Sequence, residues 1–562
     1  MLAAAVVAVL AGVLAPGVAS PASDRPDPAP DVPAPKPHFT KAVAFDESPA
    51  LRTLARRADT SDQTKPRLRD RGGSPRDSGF TGDPVVQSAR PSDRPAVQPI
   101  QNFDGLRNQD NFNLFGFRVN PPDPVGDVGR SQYVEMVNLA FAVYSKTGET
   151  LLGPTPIGAL WEGFKVRDCT DPSGDPIVIY DQLADRWILS QFTIRGFFNP
   201  NRPFFNCVAV SKTADATGGY YRYAFSSGFN FPDYPKYGVW TDAYTLTTRE
   251  FGPNGEYGIG VYGLEKRKML QGLSARAVSF FIDGNDPDLL PLVGDGLLPA
   301  DLDGARRPAD DAAIPVIGTQ DDGGGYGATT DAVNIWDFRV DWGSRTTASL
   351  HLQEQIRVRP FDSIFPCGPD SRDCLQQPGQ TNSARFIDIL SYRQRPTWRL
   401  AYRQFPGYDS MVTNQSVEAA RGVAGVRWYE IRRSLSGDYS VFQQGTYAPS
   451  DGIDRWMGSI AQDKLGNMAL GYSVVNGTDI FPGIRFTGRS PADPPGVMTV
   501  QEGTIINGRG LQQTRNSRWG DYTSMNVDPV DDCTFWYVNE YYSDTSQVGW
   551  RTRIASFRLP GC

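Results

Sequence analysis

The sequence predicts an all-β chain folded as a β-propeller, with seven blades and six as the alternative. Three observations predict it. Apolar runs of strand length, rich in β-branched and aromatic residues, recur from Phe103 to the C-terminus between turn residues. The hairpin Ile177–Tyr180, Asp181–Asp185, Arg186–Phe192 is apolar on both of its strands, so it must be sandwiched between similar units. Finally, Asp127, Asp181, Asp242, Asp321, Asp388, Asp463 and Asp528 each close a short apolar run just before a turn. The gaps between them run from 54 to 79 residues, room for a blade of roughly 40–50 residues plus loop insertions.

Taken in order, Leu2–Ala15 is apolar and small, and Pro16–Ala19 offers small residues for a signal peptidase. Residues 1–19 therefore read as a signal peptide, although no Lys or Arg precedes the apolar run. The run is too short for a stable membrane span. Residues 20–100 are dominated by Pro, Asp, Arg and Ser, and read as a disordered spacer or pro-segment. The propeller domain is expected over 101–562. Its first set holds Asp123–Asp127, Gln132–Asn138, Phe141–Tyr144 and Thr150–Leu152, and its second the hairpin above with Cys207–Val210 and Tyr220–Tyr223. The third runs from Tyr237 to Ile282. The fourth is expected in Ile314–Asp321, Val333–Val340 and Leu350–Val358, and the fifth in Phe386–Asp388, Trp398–Phe405, Val426–Arg432 and Tyr439–Tyr447. Gly458–Val475 opens the sixth set. Tyr522–Asp528, Thr534–Tyr541 and Arg551–Phe557 leave the seventh one strand short, which a strand near Leu114–Val119 would supply.

Composition narrows the function classes. The net charge of −7 and the lack of a Lys/Arg block argue against a nucleic-acid partner. With only two histidines, His38 and His351, a histidine-based triad or zinc site is disfavoured. Six cysteines behind a signal peptide read as three disulfides, and proximity within a repeat pairs Cys169 with Cys207, Cys367 with Cys374, and Cys533 with Cys562. The expected location is secreted or cell-surface.

Several longer motifs are specific: Asp123-Pro-Val-Gly-Asp-Val-Gly, Gly174-Asp-Pro-Ile-Val-Ile-Tyr-Asp, Tyr447-Ala-Pro, Arg455-Trp-Met-Gly-Ser-Ile-Ala, Arg518-Trp-Gly-Asp-Tyr-Thr-Ser-Met and Asp528-Pro-Val-Asp-Asp-Cys-Thr-Phe-Trp-Tyr. Over about residues 100–562 the chain resembles a family of large exported bacterial proteins, described only as secreted or hypothetical and expected to be propellers. The resemblance implies fold and export. It implies no activity.

Loops that lead into innermost strands gather at one mouth of a propeller's channel, so the residues entering those strands are the candidate ligand contacts: Asp123, Asp175, Asp233, Lys236, Arg385, Arg455, Trp456, Arg518, Trp519 and Asp521. Carboxylates, guanidinium groups and indoles there could hold an extracellular glycan or protein ligand by bidentate bonds and stacking. The same residue types also serve as turn and packing devices. A glycoside hydrolase is the alternative: Arg385, Arg455 and Arg518 would form an anion cluster, with Glu540 beside Tyr541 or Glu135 beside Met136 as the reacting pair. No Ser-x-Asp-x-Gly-x-Thr-Trp box accompanies them. No cofactor is expected. Asp301, Asp303, Asp310, Asp311 and Asp321–Gly325 are oxygen-rich and could hold a structural calcium, but none matches a twelve-residue calcium loop. Asn414 and Asn476 begin glycosylation sequons.

Overall fold

The hairpin at the centre of the sequence argument forms as expected. Arg186–Phe192 pairs antiparallel with Ile177–Asp181, placing Trp187 opposite Tyr180 and Ile188 opposite Ile179. Nearly every residue of both strands is buried, so both sheet faces are covered. A computed structural model describes residues 29–54, 80–91, 94–309, 311–364, 373–389, 394–514 and 518–562.

Seven such units follow one another, each an antiparallel meander whose first strand is innermost. The innermost strands are Val125–Val128, Ile177–Asp181, Phe231–Val239, Leu298–Asp303, Thr397–Phe405, Asp454–Gln462 and Ser524–Val527. Each packs beside the next, and the seventh packs beside the first, which closes a β-propeller-like ring. The fourth and fifth units are also joined directly, because Leu298–Asp303 and Thr397–Phe405 pair in parallel. The apolar cores lie between neighbouring sheets.

Three expectations need correction here. The fourth unit begins at Leu298–Asp303, not at Ile314; Ile314–Gln320 is its second strand. The fifth begins at Thr397–Phe405, whereas Ile387–Asp388 belongs to a small side hairpin with Asp373–Leu375. The Asp register therefore follows the innermost strands in units one, two, three, six and seven and slips in the other two.

The ring is closed by Gln101–Arg107, which pairs antiparallel with Arg551–Arg558. Of the stretch expected to do this, Leu114 and Phe115 end a helix, Asn108–Phe115, and Gly116–Val119 form no strand; the helix is started by the Asp110 carboxylate on the Arg107 N–H and ended by Gly116 at φ 80°. Glu135 fixes the closing strand: its Oε2 accepts the Leu106 N–H at 2.8 Å. A Cβ at Gly105 would lie 2.4 Å from that same carboxylate oxygen, so only glycine fits there.

The segment expected to be disordered over 20–100 is ordered in part. His38–Lys41 adds a fifth strand to the third sheet, and Ala44–Glu47 adds one to the second. Val86–Gln87 pairs in parallel with the fifth sheet, and Arg94 bridges Val500 in the sixth. A chain with no core of its own can order this way, because a pre-formed sheet edge supplies the hydrogen-bond partners. The expected signal peptide over residues 1–19, residues 20–28 and residues 55–79 lie outside the described residues. Among the described residues no helix is long and apolar enough to cross a membrane.

The disulfides Cys169–Cys207 and Cys533–Cys562 are present as paired from the sequence, with Cα–Cα separations of 5.9 and 5.7 Å. Cys374 is disulfide-bonded too, and its expected partner Cys367 lies outside the described residues.

Candidate functional site

At the axial end where the chain enters the innermost strands, the backbone is repeatedly forced into the left-handed region. Asp123 (φ 49°), Asp175 (43°), Tyr234 (53°), Gln394 (36°) and Met457 (47°) are five of the eight non-glycine residues at positive φ among the described residues. Such conformations cost of order 1–3 kcal/mol each and persist only where the surroundings hold them. Here the surroundings do. Asp123 accepts the Asn138 side-chain amide and the Asp521 N–H, both at 2.6 Å, and Asn138 in turn accepts the Asp175 N–H at 2.9 Å. Burial, reinforced by Asp521 and Asp175, pushes the Asp123 carboxyl up to about 8.

Inside this rim the charges are stacked on aromatic rings. The Lys236 ammonium sits 3.0 Å from the Tyr234 ring centre and 3.5 Å from that of Tyr522. Burial, with Arg395 adding to it, holds this lysine well below its ordinary range. The Arg395 guanidinium lies 3.7 Å over the Tyr234 ring. Tyr522 donates to Asp175 at 3.3 Å, and Arg249 pairs with Asp295 at 3.0 Å and reaches Asp233 at 3.9 Å. Of the candidate residues, Asp123, Asp175, Asp233, Lys236 and Asp521 are thus brought together at this end.

The other candidates separate from them. Arg455 is buried in the sixth sheet, paired with Asp451 and Glu502 at 2.8 Å each. Arg385 is exposed in a short turn, Ser383–Arg385. Arg518 pairs with Asp521 at 2.6 Å and with Asp388 at 3.3 Å. The three arginines therefore do not form the anion cluster a hydrolase was expected to use. Nor do its acid pairs form: Glu540 accepts the Gly520 N–H while Tyr541 donates to Asp104, and Glu135 serves ring closure. Trp456 and Trp519 are fully buried against each other, ring centres 5.2 Å apart, and act as packing.

At the opposite end of the channel Arg399 occupies the place a cation would take. It bonds Asp301 at 2.7 Å and Asp303 through two nitrogens at 2.7 and 2.9 Å. A cavity of only about 10 Å³ remains there, lined by Asp127, Tyr180, Gln182 and Arg399, about the size of one water. Asp321, Asp322 and Asp331 do gather within 4.8 Å. Asp321 accepts the Gly323 and Ser363 N–H groups, and Asp331 accepts those of Asp322 and Phe361, so protein donors already serve both carboxylates as loop wiring. Asp310 lies outside the described residues. The sequon residues Asn414 and Asn476 are 0% and 8% exposed, which closes both to a glycosyl group.

No family model and no curated protein matches this chain. Among solved structures it is similar to an α-L-arabinanase of Penicillium chrysogenum complexed with arabinobiose, at 9% identity and TM-score 0.27 over 59% of this chain and 94% of that one. It is similar to the Trypanosoma rangeli sialidase at 11% identity and TM-score 0.30, over 68% and 54% of the two chains. The polysaccharide lyase Uly1 gives 12% identity and TM-score 0.37, over 84% and 99%. These likenesses are too distant to assign an activity.

Sequence reasoning missed Tyr234, Arg249, Asp295, Arg395 and Tyr522. Tyr234 and Tyr522 sit next to chosen residues and were legible as aromatic neighbours of Asp233 and Asp521. Arg249 and Asp295 lie on other elements, and nothing in the linear pattern marks them.

Proposed function

We propose that this chain is an exported, seven-bladed propeller that acts as a binding or scaffold module at the cell exterior, with a glycan or a protein as its ligand. One observation carries the non-catalytic part of this reading. The axial entrance is filled by described side chains: Lys236 packs between Tyr234 and Tyr522, and Asp123, Asp175 and Asp521 are each engaged by protein donors or cations. A hydrolase would need two carboxylates roughly 5–10 Å apart in an open pocket with room for a sugar and a water. Export is supported by the apolar leader and by disulfide-bonded cysteines.

The test is an array of glycans, polysaccharides and extracellular proteins, probed with the full chain and scored both for retention and for released product. Retention without release is expected. Release of an oligosaccharide that stops on Asp123→Asn would replace this reading with the hydrolase one.

A further inference from the structure

Arg395 is anomalous among the buried cations of this molecule. It is 1% exposed, and no nitrogen of its guanidinium reaches a protein acceptor among the described residues; Nε and Nη1 are fully enclosed and unpartnered. The other large buried arginines are all engaged, Arg399 by Asp301 and Asp303, and Arg427 by Asp83 and Thr446. A guanidinium does not lose its proton in a protein, so Arg395 keeps its charge inside the fold. A buried charge without a partner is among the costliest features a fold can carry.

Its neighbours deepen the anomaly. Lys236 stands over the same Tyr234 ring, so two cations flank one aromatic side chain. Among the described residues the only hydrogen bond from the Lys236 ammonium is a long one, 3.4 Å, to the Pro235 carbonyl. The Tyr234 hydroxyl is buried and also unpartnered. The acids nearby are held elsewhere: Asp295 by Arg249 and Tyr257, Asp521 by Arg518, Asp175 by Tyr522, and Asp123 by Asn138 and the Asp521 amide. Asp295 and Asp521 act on Arg395 through charge alone, so among the described residues its enclosed nitrogens and the Tyr234 hydroxyl converge with no hydrogen-bond acceptor.

We propose that this axial entrance binds a small monovalent anion of chloride type, held by the Arg395 guanidinium and the Tyr234 hydroxyl. Size and charge decide the class. The surrounding side chains are nearly all buried, so a sugar acid has no room, and Asp175 and Asp521 disfavour a divalent anion. A single spherical acceptor satisfies N–H and O–H donors arriving from different directions. It would serve as a counter-ion locking the strained entries of the innermost strands, a structural role independent of any ligand on the outer surfaces.

The experiment compares thermal unfolding of the full chain in sodium chloride and in sodium gluconate at equal ionic strength, gluconate being too large for the site. Chloride is expected to raise the transition by a few degrees and to saturate, as site binding requires. Tyr234→Phe, which removes one donor, is expected to shift the half-saturating chloride concentration upward several-fold. Arg395→Gln is expected to abolish the chloride increment. If Arg395→Gln does not fold, Tyr234→Phe and bromide-soaked crystals still decide: an anomalous peak beside Arg395 supports the site. A transition that responds equally to both salts, an increment unchanged in the variants, or a water in place of bromide would overturn it.

Discussion

The residues that matter most in this molecule are buried charges, and their behaviour follows from what surrounds each one. Arg399, 2% exposed, bridges Asp301 and Asp303 at the channel floor, so Arg399→Ala would leave two buried carboxylates uncompensated. Removing one partner of such a group typically costs 3–5 kcal/mol, and a loss of about that size is expected in urea unfolding of the variant. Glu135 gives a pH dependence. Burial pushes it up to about 7, against an unfolded carboxyl near 4.3. Its contribution to stability is therefore complete below about pH 4.3 and is lost as pH rises through about 7. Asp123 (about 8), Glu250, Asp331 and Asp454 (each about 7) act in the same direction. Carboxyls held low, such as Asp451 and Glu502, are already ionised across this range and add no opposing slope. Lys236, held well below its ordinary range, acts in the opposite direction but is one group against five, so the chain should melt at a lower temperature at pH 8 than at pH 5, and Glu135→Gln should reduce that difference. A melting temperature that rises from pH 5 to pH 8 would contradict the account. At this scale the sequence showed which residues enter the innermost strands, but not which cations answer them. Arg455 looked like a rim residue, and only the fold reveals Glu502 on the outermost strand of the same sheet waiting to pair with it.

At the scale of elements, strand pattern was easiest to read where a unit is compact. The Ile177–Phe192 hairpin was legible because period, turn and length agree. The innermost strand Leu298–Asp303 was not, because Pro299 and two aspartates break its apolar run; Arg399 makes those aspartates affordable. The closing strand was hidden for a related reason. Gln101–Arg107 exposes alternate residues and carries Gly105, so it reads as polar loop until Glu135 and the edge of the seventh sheet are known. The edge strands His38–Lys41 and Ala44–Glu47 predict slowed amide exchange in a segment whose composition suggests none. Hydrogen–deuterium exchange should show protection at Val43, whose N–H bonds the Ala224 carbonyl at 2.9 Å. Full exchange there within seconds would remove the strands. In the seventh unit, Cys533–Cys562 closes a span of 29 residues beside the ring closure. Its removal by Cys533→Ser with Cys562→Ser is expected to cost about 3–4 kcal/mol on the chain-entropy model, read from denaturant midpoints.

For the molecule as a whole, the ring and its N-terminal strap are one structure. Seven meanders close through a strand that precedes the first of them, and the chain before that strand runs across the outer edges of the third, second, fifth and sixth sheets. Overall architecture was legible because repetition makes each weak strand signal support the next. The channel's contents were not, since side chains from seven distant segments meet there. The central claim is that this entrance is a packed structural plug and not a reaction chamber. Carbodiimide labelling of carboxylates in the native full chain, quantified by peptide mass spectrometry, tests it most directly. Asp544, whose side chain is 78% exposed, should label fast, while Asp123, Asp175 and Glu540, at 3%, 8% and 0% exposure, should stay protected until the protein unfolds. Labelling of Asp123 and Asp175 at a rate comparable to Asp544 would mean an open, solvent-filled mouth, and would contradict the claim.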